Sequence, residues 1–218
     1  MRFPNAYKGM KKYFVGIILT VFAIVAQVAA MVLAALPTAK DPGSPMAITA
    51  LVITIASLVI ICIAFILQLI GCFQAGRDQS YFHGAACLTI FALIASIAFG
   101  IIGIAVPSFE QYNSIIDSAA SLIDLVAVVL VFSGVIVLSR ELENFGFANF
   151  GAVLRMITLL ISIVTVGLKL VPVFFTVNDE TVKNVLMWIA ISAAGVELIV
   201  DLISVVFFGR AVSILKKK

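Results

Sequence analysis

Six long stretches of the chain contain very few charged residues, and they constrain the fold more than any other feature of the sequence. They run approximately over residues 13–36, 46–72, 81–106, 115–139, 153–175 and 186–208. A helix needs about 20 apolar residues to cross the roughly 30 Å hydrocarbon layer of a bilayer, and each stretch is long enough. The sequence therefore predicts an all-α polytopic membrane protein, with residues 1–218 forming a single domain of six transmembrane helices.

The overall composition agrees with this interpretation and argues against other classes of protein. Hydrophobic residues make up 63% of the chain and charged residues 11%, whereas a soluble domain is about one quarter charged. The net charge of +3 is small and dispersed, so no nucleic acid partner is predicted. The predicted partner is the lipid bilayer, and a second membrane subunit or a second copy of the chain remains an open alternative.

The first apolar stretch follows a basic leader, as the apolar part of a signal peptide does. The leader contains Arg2, Lys8, Lys11 and Lys12. The apolar region of a signal peptide is roughly 7 to 15 residues long, and the first stretch is longer. We therefore expect it to remain in the protein as a membrane span.

Basic residues are distributed unevenly between the two ends of the predicted spans. Of the 14 lysines and arginines, only Lys40, Lys169 and Lys183 fall on the side opposite the termini. Because cytoplasmic loops carry the excess of basic residues, both termini are predicted to be cytoplasmic in a multi-pass protein of the cell membrane. Trp188 is expected at the outer membrane interface and Tyr13 at the inner one.

Similar segments recur along the chain. The eight residues from Asp124 resemble those from Asp201, and the similar tripeptides ending at Gly9, Gly84 and Gly151 stand at or just before the start of the first, third and fifth stretches. These matches predict three repeated helical hairpins. The alternative is that helices rich in valine, leucine and isoleucine resemble one another through composition alone.

Polar residues in the last three stretches fall on single helical faces. In the fifth stretch they recur at steps of three and four, which is the period of one face of an α-helix. The predicted substrate or ion site comprises Asp124, Arg155, Thr158, Ser162, Thr165, Lys169, Glu197, Asp201 and Ser204. The milder polar faces of the first three stretches, which include Gln68 and Thr89, are interpreted as helix-packing faces.

Three interpretations of the charged set remain open. It can be a structural network in which Lys169 pairs with Asp124 or Glu197, and Arg155 pairs with Asp201. It can be a proton or cation relay or a polar substrate site, because three carboxylates face at most two bases, which leaves one carboxylate able to take up a proton or bind a cation. It can also be a contact with a partner membrane subunit.

The sequence lacks the motifs of the enzymes that work within membranes. Asp124 and Asp201 lack the Gly-x-Gly-Asp context of intramembrane aspartyl proteases, and no Gly-x-Ser-x-Gly is present. Cys72, His83 and Cys87 lack a fourth metal ligand, and no nucleotide-binding glycine pattern occurs. No enzymatic activity, catalytic residue, cofactor or metal site is predicted.

The first residues carry a resemblance to known sequences. The segment Pro4-Asn5-Ala6-Tyr7-Lys8-Gly9-Met10-Lys11-Lys12 resembles the start of a set of uncharacterised small multi-span proteins from gut-type Gram-positive bacteria, which implies a bacterial membrane protein without an assigned activity. In length and span number the chain is also similar to the substrate-binding subunits of energy-coupling-factor vitamin transporters, but it has none of their binding-residue motifs.

The functional hypothesis from sequence is transport of a small molecule or ion through a polar intramembrane site between the fourth, fifth and sixth helices. The alternative is a non-transporting structural or partner-binding membrane subunit.

Overall fold

The computed structural model is built of six long α-helices. It describes residues 2–35, 44–105, 113–174 and 180–217. The helices are α1 (Pro4–Ala35), α2 (Pro45–Ala75), α3 (Ser80–Ala105), α4 (Asn113–Glu141), α5 (Phe145–Phe174) and α6 (Glu180–Lys217). All six are long and apolar enough to cross a membrane, which confirms the predicted all-α, six-span fold. Helices α1 and α5 begin several residues before the predicted apolar stretches, and α6 extends beyond its stretch at both ends.

The helices follow one another around a ring. Each helix packs against the next one in the chain, and α6 returns to contact α1, which closes the ring; α4 also touches α6. With six crossings, the start of α1 and the end of α6 lie on the same side of the bundle, which we call the terminal face. The main buried cluster lies toward this face and includes Met10, Cys72, Phe82, Leu138 and Phe207.

The α1–α2 pair is the most extensive contact in the bundle, and small residues at heptad spacing form it. In antiparallel order, the buried Gly9, Gly16, Ala23 and Ala30 of α1 match the buried Gly71, Ala64, Ser57 and Ala50 of α2. A Cβ atom on Gly71 would lie 2.7 Å from the carbonyl oxygen of Gly9. Small side chains let membrane helices approach until their backbones touch, and this explains the close pairing.

Phenylalanine rings fill the space beside glycines at three other helix contacts. The pairs are Phe82 on Gly134, Phe207 on Gly151, and Phe14 on Gly209. These contacts join α3 to α4, α6 to α5, and α1 to α6. The ring of Phe207 also stacks on that of Phe147, with centroids 4.7 Å apart and an interplanar angle of 13°. Such aromatic pairs stabilise a core beyond the area they bury.

The turn between α4 and α5 is closed by hydrogen bonds at both helix ends. Glu143 has a positive φ of 59°. Its N–H donates to the carbonyl of Arg140 and the N–H of Asn144 donates to the carbonyl of Ser139, both at 2.9 Å. This is the Schellman pattern of a helix C-terminus. The Asn144 side chain then accepts from the N–H of Phe147 at 3.3 Å and caps the start of α5.

The start of α1 is held by residues from other parts of the chain. The carboxylate of Asp78, in the α2–α3 connection, accepts from Asn5 Nδ2 at 2.8 Å and from the backbone N–H of Ala6 at 2.7 Å. Arg2 Nη1 donates to the carbonyl oxygen of Glu141 at 2.7 Å. These hydrogen bonds thus hold the start of the Pro4–Lys12 segment, which carries the sequence resemblance, at the terminal face.

The three tripeptide glycines occupy comparable places in the predicted hairpins. Gly9 meets the backbone of Gly71, Gly84 lies near the side chain of Leu130, and Gly151 lies under the ring of Phe207. Each glycine therefore faces the second helix of its own hairpin. Because the contacted groups differ in kind, the internal repeat stays a prediction.

Candidate functional site

A cavity of about 210 Å³ lies between α1, α2, α3 and α4. Its lining is mainly apolar, with at least one polar group on each of the four helices. Its aromatic and polar lining residues include Tyr13, Phe65, Gln68, Thr89 and Asp124. Concave sites with a mainly apolar wall and a few polar groups are the usual form of small-ligand sites.

Asp124 brings a carboxyl group to this cavity deep within the membrane span. It lies about 25 Å along α4 from Glu141 and about 16 Å from Asn113, at 1.5 Å per residue. Within the ranges that the structure describes, its carboxyl group makes no hydrogen bond or ion pair. A charge at this depth costs a few kcal/mol unless it is paired, solvated or neutralised. In the part of the chain that the structure describes, no group therefore neutralises the carboxyl group of Asp124.

The hydroxyl and amide groups nearby mainly offer acceptors to the cavity. Thr89 Oγ1 donates to the carbonyl of Ala85 at 3.0 Å. Gln68 Nε2 donates to Thr20 Oγ1 at 3.0 Å, and that hydroxyl donates to the carbonyl of Gly16 at 3.1 Å. These bonds use the protons of the two threonine hydroxyls and one amide proton of Gln68, so oxygen lone pairs remain, alongside the second Gln68 amide proton and the Tyr13 hydroxyl. A carboxylate with additional oxygen acceptors suits a cation or a protonated amine.

Two aromatic rings complete the wall. Tyr13 and Phe65 line the cavity, and the ring of Tyr13 meets that of Phe208 edge-on, with centroids 5.4 Å apart. Tyr13 is 7% exposed, so its ring is buried among the helices, and its position at the inner membrane interface stays a prediction. Aromatic faces attract cations, which fits the neighbouring carboxylate.

The polar stripe predicted on α5 lies on its inward side. Arg155, Thr158, Ser162 and Thr165 are half-buried, whereas the intervening Met156 and Leu160 are exposed. Arg155 Nη1 donates to Ser133 Oγ on α4 at 2.8 Å, and Thr158 Oγ1 donates to the carbonyl of Leu154 at 2.9 Å. The stripe thus contributes a direct hydrogen bond between α5 and α4.

The predicted residues do not all meet at the cavity. On α6, Asp201 is exposed and Ser204 is half-buried, with Ser204 Oγ donating to the carbonyl of Val200 at 2.8 Å. The side chains of Lys169 and Glu197 lie outside the described part of the structure. Among the predicted site residues whose side chains the structure describes, Asp124 alone lines the cavity.

The other wall residues come from helices whose polar faces are predicted to serve packing. Gln68 and Thr89 stand on the predicted packing faces of α2 and α3, and Tyr13 is predicted at the membrane interface. A glutamine within an apolar span is the one signal that could have marked the site, because a buried amide is costly in a membrane.

The fold and its polar cavity define a polytopic integral membrane protein in contact with the lipid bilayer. No family model, curated protein or solved structure matches the chain. The resemblance carried by Pro4–Lys12 therefore stays a prediction.

Proposed function

We propose that this protein is a non-enzymatic transporter that binds a small, singly charged cation at Asp124 and carries it across the membrane. The observation that carries the proposal is the carboxyl group of Asp124, open to a cavity within the span and without a partner among the described residues. One carboxylate matches one positive charge, and the rings of Tyr13 and Phe65 favour a protonated amine or a quaternary ammonium ion.

The same carboxyl group can exchange a proton for the cation. A membrane-embedded acid is less costly when protonated, so release of the cation on one side favours uptake of a proton there. Transport would then be coupled to a proton moving in the opposite direction. A bacterial cell membrane as the location, with cytoplasmic termini, belongs to the same proposal.

The test uses purified protein in liposomes that contain a pH-sensitive dye, to which potassium, methylammonium or tetramethylammonium chloride is added. We expect at least one cation to drive proton movement through the wild-type protein. Asp124→Asn should abolish the movement, because the amide keeps the shape of the side chain but cannot ionise. Asp117→Asn is the matched control, since it makes the same change on the same helix at a residue that is not among those lining the cavity.

Two results would contradict the proposal. One is proton movement through Asp124→Asn at the wild-type rate. The other is a folded wild-type protein that responds to none of the three cations. A structural subunit, the alternative interpretation, predicts instead that Asp124→Asn lowers the unfolding temperature while no flux is seen in any variant.

A further inference from the structure

A second concave surface lies on the outside of the α1–α2 pair, near the terminal face. It consists of two adjoining grooves of about 420 and 300 Å³ that share Lys12 and Gln74. Lys8 and Lys11 also line the first groove, and Arg77 the second. All four basic side chains are exposed, so the grooves are positively charged at this end.

The walls of both grooves also contain apolar side chains. Val15 and Leu67 lie farther from the terminal face than the lysines of the first groove, and Ile70 and Phe73 line the second groove between Arg77 and Lys12. Val15, Ile70 and Phe73 are 40%, 44% and 38% exposed, on helices that cross the membrane. In the first groove the basic residues lie nearer the terminal face than Val15 and Leu67, and this order matches an anionic headgroup above its acyl chain.

Gln74 adds an unsatisfied acceptor where the two grooves meet. Its amide oxygen Oε1 is buried and accepts no hydrogen bond from any group in the described part of the chain. A buried acceptor without a donor is uncommon in native structures, because its desolvation is not compensated. Gln74 lines both grooves, so a rotation of its side chain brings this oxygen to a headgroup in the groove, whose hydroxyl group can supply the missing donor.

We infer that these grooves bind one anionic phospholipid with a hydroxylated headgroup, such as phosphatidylglycerol. Lys8, Lys12 and Arg77 contact its phosphate, Gln74 accepts from a glycerol hydroxyl, and an acyl chain lies along Val15 and Leu67. A free phosphate would use only the charged part of the surface, so the continuation into exposed apolar walls favours the lipid.

The test measures lipid binding to the purified full-length protein, by native mass spectrometry and by the rise in unfolding temperature on lipid addition. Phosphatidylglycerol is compared with phosphatidylcholine and with phosphatidylmethanol, which has the same single negative charge but no headgroup hydroxyl. We expect phosphatidylglycerol to bind most tightly. Lys8→Gln/Lys12→Gln should weaken its binding roughly 30-fold, since each lysine near a membrane surface contributes about fivefold in affinity.

Two matched variants separate this site from general surface charge. Arg140→Gln/Lys216→Gln removes two exposed basic residues from the same face of the bundle, and it should leave the affinity unchanged. Gln74→Leu retains the lysines and should bind phosphatidylglycerol and phosphatidylmethanol equally.

Three results would overturn the inference. Equal losses in the two charge variants would show attraction without a site, and a retained preference for phosphatidylglycerol in Gln74→Leu would remove the hydroxyl contact. Stabilisation by inorganic phosphate or glycerol phosphate to the same extent as by the lipid would identify a soluble anion as the ligand.

Discussion

At the scale of single residues, the glycines at close helix contacts pack against either helix backbone or an aromatic ring. A Cβ atom on Gly71 would lie 2.7 Å from the carbonyl oxygen of Gly9 and 2.8 Å from the backbone nitrogen of Tyr13. A Cβ atom on Gly134 would lie 2.7 Å from an atom of the Phe82 ring. A ring can tilt, but helix backbone moves only if the two helices separate. The two sites should therefore tolerate an added methyl group differently.

We expect Gly134→Ala to lower the free energy of unfolding by about 1 to 3 kcal/mol, the usual cost of overpacking. Gly71→Ala should cost more, because it separates α1 from α2. Gly167→Ala is the control: its Cβ would meet no atom within 4 Å, and alanine favours the helix by up to about 1 kcal/mol. Thermal unfolding in detergent orders the three variants, and a Gly71→Ala protein as stable as Gly167→Ala would contradict the close helix contact.

At the scale of elements, α1 is positioned by a carboxylate that belongs to another connection. The first N–H groups of a helix have no partner within the helix, and the positive end of the helix dipole lies there. Asp78 satisfies the N–H of Ala6 and also binds the amide of Asn5. One side chain of the α2–α3 connection thus caps α1 and fixes where α1 begins relative to α2.

Asp78→Asn should loosen the start of α1 and leave the rest of the bundle folded. The amide has one acceptor instead of two and places a donor against a donor, so we expect a cost of about 1 to 2 kcal/mol. The measurement is hydrogen exchange at the amide of Ala6, which should speed up. Glu143→Gln, a neutralisation at an exposed position of the α4–α5 turn, should leave this exchange rate unchanged; equal effects in both variants would exclude a specific cap.

Helical periodicity in the sequence indicates which side of a helix faces the other helices, and this sets how much of the fold and the site can be predicted. It correctly identified the inward side of α5, where Thr158 is half-buried and Leu160 exposed. It also identified the small faces of α1 and α2 as packing faces. Periodicity does not say which helix a face meets, so Asp124 was grouped with α5 and α6, whereas it lines a cavity with Gln68 of α2. That pairing depends on the order and register of helices in the ring, which only the folded chain provides.

At the scale of the whole molecule, the charged and closely packed regions coincide. The main buried cluster lies toward the terminal face, and Lys8, Lys11 and Lys12 are exposed near the same face. Because basic loops stay in the cytoplasm, this distribution predicts that the terminal face is cytoplasmic. The same orientation would place the lipid groove in the leaflet that carries anionic lipids.

Labelling of single cysteines tests the orientation directly. In a chain with Cys62, Cys72 and Cys87 replaced by serine or alanine, Ser80→Cys lies at the start of α3 on the terminal face, and Ser44→Cys precedes α2 on the opposite face. In intact cells a membrane-impermeant maleimide should label Ser44→Cys and leave Ser80→Cys unmodified until the membrane is permeabilised. The reverse pattern would place the termini outside, and the basic groove would then face the leaflet opposite to the one proposed. Labelling of both sites in intact cells would contradict an α2 that crosses the membrane.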